Sequence, residues 1–170
     1  MSKINQNIKK QILVIGYSKD NCTEKAYDLA YKVGKIIGTK DAILITGGLE
    51  GVMEAASKGS KEMGGLVVGI SPYKEKTLAN RYCDVVISTG IGKARDFINA
   101  YTADSVIIIG GGAGTLTEAT AAYLAGKKII AIKGSGGIAD SISDTYLDER
   151  EKTKIIGVDT PQIAVEKAMI

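Results

Sequence analysis

The 170-residue chain has no histidine and no tryptophan, one phenylalanine, two prolines and two cysteines. Without histidine, every Ser-His, Cys-His and His-metal arrangement is excluded at once. Any chemistry must come from carboxylates, arginine, lysine, tyrosine or the backbone. Cys22 and Cys83 make no C-x-x-C pair, so neither a metal site nor a disulfide framework is expected. Each reads as a small apolar residue, buried or half-buried. No apolar run approaches the ~20 residues of a membrane span. The run Gln11 to Gly16 is too short for the apolar region of a secretory leader. These absences point to a cytoplasmic protein with no membrane partner. Charge of one sign is also lacking: 22 basic and 19 acidic residues interleave to a net +3. With so few aromatics to stack on bases, this argues against a nucleic-acid partner.

What remains is rich in β-branched residues, alanine and glycine, and it alternates between two periods from end to end. Strand-like runs fall at Gln11 to Gly16, Ala42 to Thr46, Leu66 to Ile70, Asp84 to Ser88, Ser105 to Ile109, Lys128 to Ile132 and Lys154 to Val158. Helical spacing separates most of them, over Cys22 to Ile37, Leu49 to Met63, Gly92 to Thr102, from the glycines at 110–114 to a stop at Gly126, and Ile138 to Leu147. Thr160-Pro161 opens a last helix to Met169 with a hydroxyl cap and a proline in the first turn. Ser71 to Arg81 is the one long polar connection. No repeat or linker divides residues 1–170, so one domain is expected. The alternation predicts an α/β fold, a doubly wound Rossmann-like parallel sheet of about seven strands with helices on both faces. Ligands in such sheets bind beyond the carboxyl ends of the strands.

Three glycine-bearing strand ends are therefore candidates: Gly16-Tyr17-Ser18, Gly47-Gly48-Leu49-Glu50-Gly51, and Gly110-Gly111-Gly112-Ala113-Gly114-Thr115. Glycines let an anion approach peptide N–H groups, and a following helix adds free N–H groups and the positive end of its dipole. Gly110 to Thr115 thus reads as a phosphate cradle, with Tyr17, Ser18, Gly47, Gly48 and Gly51 as companions. Glu118, one turn further on, is placed to reach what the phosphate carries. The spacing Thr115-x-x-Glu118 also fits a capping box, in which the glutamate merely closes the helix start. Both readings stand at this point.

The dinucleotide fingerprint fails because Thr115 stands where G-x-G-x-x-G needs glycine, and no Gly-Lys pair is followed by serine or threonine as a P-loop requires. Instead, Gly110 to Glu118 resembles the P-G-G-x-G-T-x-x-E motif of the LONELY GUY phosphoribohydrolases, long mislabelled lysine decarboxylases. Gly47 to Met53 resembles their upstream G-G-G-x-x-G-L-M segment, and Arg95 falls where they carry an Arg-Lys pair. Three positions depart: Gly110 for the motif proline, Asp96 for the lysine and Glu54 for a glycine. Gly-Gly-Gly and Ala-Arg-Asp look more like the branch that includes molybdenum-cofactor carrier proteins.

The resemblance implies a nucleotide- or phosphate-binding protein and two functions. One is nucleoside 5′-monophosphate phosphoribohydrolase, with Arg95 and Glu118 serving N-glycosidic cleavage. The alternative is a non-enzymatic carrier of molybdopterin cofactor using the same glycine loops. No required cofactor is implied beyond a bound nucleoside monophosphate or molybdopterin. The expected partners are a small phosphorylated ligand and further copies of the chain, at least as a dimer.

Overall fold

The computed structural model describes residues 8–170, and the segment Met1 to Asn7 lies outside the described residues. Seven strands, β1 (Lys10–Gly16), β2 (Ala42–Thr46), β3 (Leu66–Ser71), β4 (Val85–Ser88), β5 (Ser105–Ile109), β6 (Lys128–Ile132) and β7 (Ile156–Val158), form one parallel sheet. Their order is β4-β3-β2-β1-β5-β6-β7. Six helices accompany them: α1 (Glu24–Gly38), α2 (Val52–Glu62), α3 (Arg95–Thr102), α4 (Ala113–Leu124), α5 (Gly137–Ile142) and α6 (Pro161–Met169). The expected α/β doubly wound architecture is the one observed.

Both faces of the central strands are buried, which is why β1 and β5 read as continuous apolar runs without alternation. Ile12, Val14, Ile107 and Ile109 pack with Ala26, Ala30, Val33, Ala55, Ala56 and Ala164, from α1, α2 and α6. Leu13, Ile15, Val106 and Ile108 pack with Ala100, Ala119, Ala122 and Tyr123, from α3 and α4. Each fully buried aliphatic side chain contributes roughly 1.5–3 kcal/mol. Alanine on the helix faces lets the backbones settle close to the sheet.

Several element ends differ from expectation, each for a local reason. The first helix starts at Glu24 rather than Cys22 because the Ala26 N–H donates to Thr23 Oγ1 at 3.1 Å, making Thr23 the cap. α2 starts at Val52 rather than Leu49, since Gly51 has φ +77° and the Val52 N–H donates to the Tyr17 carbonyl at 3.0 Å. The helix expected to reach Leu147 stops at Ile142. Asp144 has φ 61°, and its N–H donates to the Ile155 carbonyl at 2.9 Å, which turns the chain away. β7 accordingly begins only at Ile156.

The link from β3 to β4 contains no helix longer than the three-residue turn Lys76–Leu78. On the α3 face this edge of the sheet is bare: Val85 and Ile87 of β4 are each 46% exposed, and Leu66 of β3 is also exposed. No helix of the described residues is long and apolar enough to cross a membrane.

Candidate functional site

Strand order reverses at β1, whose neighbours are β2 on one side and β5 on the other. Connections leave these strands in opposite directions, and a crevice opens between them. A cleft of about 700 Å³ occupies it, within the range of small-ligand sites. Gly16, Tyr17 and Ser18 line it after β1, Leu49 and Met53 after β2, and Pro72 and Tyr73 after β3. Lys93, Arg95 and Asp96 around the start of α3, and Gly112 to Thr115 with Glu118 around the start of α4, complete the lining.

Gly112 and Gly114 are glycines whose missing side chains face open space: a Cβ on either would meet nothing within 4 Å. The first intrahelical bond of α4 runs from the Leu116 N–H to the Gly112 carbonyl at 2.9 Å. The N–H groups of Ala113, Gly114 and Thr115 precede it and have no intrahelical partner. This is the geometry of an anion cradle.

The other glycines do different work. Gly110 has φ +61°, which proline's ring forbids, so the departure from the motif proline is built into the backbone here. A Cβ on Gly110 would strike the Tyr17 ring, and one on Gly111 would lie 2.6 Å from Thr115 Cβ. Gly47 seats Arg95, whose Nη2 would be 2.7 Å from an added Cβ. Gly48 packs on Gly69, and Gly51 lets α2 begin against the chain at Tyr17 and Ser18. Gly47, Gly48, Gly51, Gly110 and Gly111 therefore shape the cleft from behind and do not line it.

The capping box is not formed. Gly112 is the cap residue of α4, without a side-chain bond, and Thr115 lies inside the first turn. Its hydroxyl donates to the Gly16 carbonyl at 3.0 Å, tying α4 to the end of β1. Glu118 faces α3 instead. Its Oε1 accepts from Arg95 Nη1 at 3.1 Å and from Asn99 Nδ2 at 2.7 Å. Oε2 accepts from no described residue.

Arg95, Asp96 and Glu118 are 8%, 5% and 7% exposed. Burial pushes the Glu118 carboxyl up to about 7 against the opposing pull of Arg95, with the nearby Asp96 charge adding to the rise. Burial also raises Asp96, against the attraction of Arg95 and Lys93. Arg95 Nε lies 3.3 Å from Asp96 Oδ1, an ion-pair distance, yet off the N–H direction needed for a hydrogen bond. One guanidinium is thus shared by two buried carboxyls.

Asn99, fully buried, was not singled out from sequence. The available signal is its spacing: Arg95, Asp96 and Asn99 lie at i, i+1 and i+4 of α3, and all three are buried. Of the two thiols, Cys22 and Cys83 are both half-buried, and burial raises the Cys83 thiol to about 11.

Fold and site together define the class: a Rossmann-like protein of the LONELY GUY-like superfamily, on the branch that includes molybdenum-cofactor carriers. Within that class, the chain belongs to the SLOG cluster4 family, whose model matches residues 9–165. An uncharacterised protein of Archaeoglobus fulgidus is 46% identical over 123 residues, 72% of this chain and 80% of that one. The molybdenum cofactor binding protein of the phototrophic bacterium Rippkaea orientalis is similar in structure at TM-score 0.84 and 31% identity. The match covers 94% of this chain and 95% of that one. The molybdenum cofactor carrier protein of Chlamydomonas reinhardtii matches at TM-score 0.81 and 30% identity, over 95% and 99% of the two chains.

Proposed function

We propose that the cleft binds a phosphorylated pterin of the molybdenum-cofactor type and that the protein is a carrier for it. The observation that carries this reading is the open backbone at Gly112 and Gly114 over the free N–H groups of α4. A phosphate monoester held there neutralises the helix end and places its ring system toward Arg95, Asp96 and Glu118. The two solved relatives named for binding or carrying molybdenum cofactor support the choice of ligand. In this reading the molybdenum cofactor is cargo. Equilibrium titration with isolated molybdopterin tests it, with a Gly112→Val variant as the control that fills the cradle.

A second reading, nucleoside 5′-monophosphate phosphoribohydrolase, is favoured by one observation: Glu118 Oε2 is unengaged beside the cleft. Two features weigh against it. Stabilising an oxocarbenium-like ribose calls for a charged carboxylate, whereas burial pushes the Glu118 carboxyl up to about 7. Asp96 also replaces the cation of the hydrolase pattern and draws on the same guanidinium. Incubation with AMP, GMP, CMP and UMP decides the matter by free base released. Glu118→Gln abolishes that release in the hydrolase reading, and the carrier reading expects none from wild type.

We infer further that a second copy of the chain covers the bare β3–β4 edge. Leu66, Val85 and Ile87 on the sheet, with Phe97, Ile98 and Tyr101 on α3, are all exposed. Exposed apolar side chains in such number on one side of a protein mark an interaction surface.

A further inference from the structure

Asp96 lines the cleft with its carboxylate ion-paired to Arg95 Nε at 3.3 Å but with no directed hydrogen bond from a described residue. It is 5% exposed. A buried carboxylate in that condition is costly unless something else supplies the donors. Asn99 on the same helix shows the same want, with a buried Oδ1 that has no partner. The charged groups facing Asp96 are Lys93 and Arg95 from its own segment and Glu118 from α4. Arg95 is committed to Glu118 through Nη1 and approaches Asp96 only off-axis.

We propose that Asp96 is a specificity-determining ligand-binding residue whose carboxylate reads a pair of parallel N–H donors on the ligand's ring. Such a pair is the ring N–H and exocyclic amine of a 2-amino-4-oxopyrimidine, an edge common to pterins and guanine. This rests on the ligand-binding reading of the cleft and names the ring chemistry that the site selects.

Two carboxylate oxygens accept two parallel donors in the same bidentate fashion in which they meet a guanidinium fork. Adenine sets an acceptor beside its amine, so one carboxylate oxygen would face another lone pair. Hypoxanthine keeps the ring N–H and loses the amine, leaving one oxygen unpaired in a buried place. Sites built to receive a hydrogen bond reject analogues that lack it far more strongly than apolar pockets reject a missing methylene.

The layout also suits a ligand with a phosphate at one end and a ring at the other. Glu118 lies four residues beyond Gly114, about 6 Å along the helix axis. Arg95 Nη1 is 3.1 Å from Glu118 Oε1, and Arg95 Nε is 3.3 Å from Asp96 Oδ1. Gly112 to Thr115 and Asp96 thus line the same cleft, linked through Glu118 and Arg95.

The test is calorimetric titration of the whole protein with GMP, IMP and AMP, which share the phosphate and differ in this edge. Wild type is expected to bind GMP about tenfold or more tighter than IMP or AMP. Asp96→Asn, the same size, is expected to bring the three within about threefold of one another while phosphate-dependent binding persists. Equal affinities in wild type, or a GMP preference that survives in Asp96→Asn, overturn the assignment and leave phosphate binding standing. Absence of binding by all three overturns the assignment of the ring edge, while the molybdopterin titration decides the carrier reading. The wild-type ratios decide the matter even if the variant fails to fold.

Discussion

Gly47 and Arg95 are in contact: a Cβ on Gly47 would lie 2.7 Å from Nη2 and 2.8 Å from Cζ of the guanidinium. The glycine that looks from sequence like a phosphate ligand is the seat of the arginine that holds Glu118. Gly47→Ala should therefore displace Arg95 and leave Glu118 less compensated. We expect a stability loss of about 1–3 kcal/mol from overpacking, measured by urea unfolding, together with weaker ligand binding. Unchanged stability and affinity would contradict the contact.

The glycine loop separates into two classes by substitution. Gly114→Ala, inside the first turn of α4 with open space before it, should gain up to about 1 kcal/mol of helix stability yet lose ligand affinity. Gly110→Ala and Gly111→Ala sit at φ +61° and +98° against Tyr17 and Thr115. Each should cost about 1–3 kcal/mol or more. Parallel thermal unfolding and ligand titration of the three variants check the division.

Stability should fall as pH rises from about 4.5 to 7. Glu118 takes up its proton near 7 in the folded protein against 4.5 ordinarily, so across that window the folded state binds more protons than the unfolded one. The contribution is fully present below 4.5 and lost as pH passes 7, on the order of 3 kcal/mol. Asp96, also raised, acts in the same direction. Glu118→Gln should flatten the decline in urea midpoint between pH 5 and 7.5, and an unaltered slope would contradict the burial argument.

Ile87→Glu on the bare edge strand should halve the mass found by light scattering if a second copy sits there. A charge at a desolvated interface without a partner is strongly unfavourable. A wild type that is already monomeric would remove the pairing.

The strands were legible because a doubly covered parallel sheet demands unbroken apolar runs, and Val106 to Ile109 and Ile129 to Ile132 supply them. The open turn was legible because Gly112 and Gly114, without side chains, stand at a strand-to-helix junction. Asn99 was missed, since its one local signal, the i+4 spacing from Arg95, does not separate a buried polar residue from a solvated one. The start of α4 could not be read either. Thr115 has the spacing of a cap, and only the long-range bond to the Gly16 carbonyl, 99 residues away in sequence, pulls its hydroxyl elsewhere. The loop from Ser143 to Ile155 likewise turns on a pairing of distant backbone groups that periodicity does not encode.

The central claim is that the open backbone from Gly112 to Thr115 holds the phosphate of a pterin cargo. Titration of the purified protein with isolated molybdopterin tests it most directly, followed by pterin fluorescence in wild type and Gly112→Val. The account predicts saturable one-to-one binding that weakens about tenfold or more, 1.4 kcal/mol, when the valine side chain enters the cradle. No saturable binding, or equal affinity in the two proteins, would contradict it.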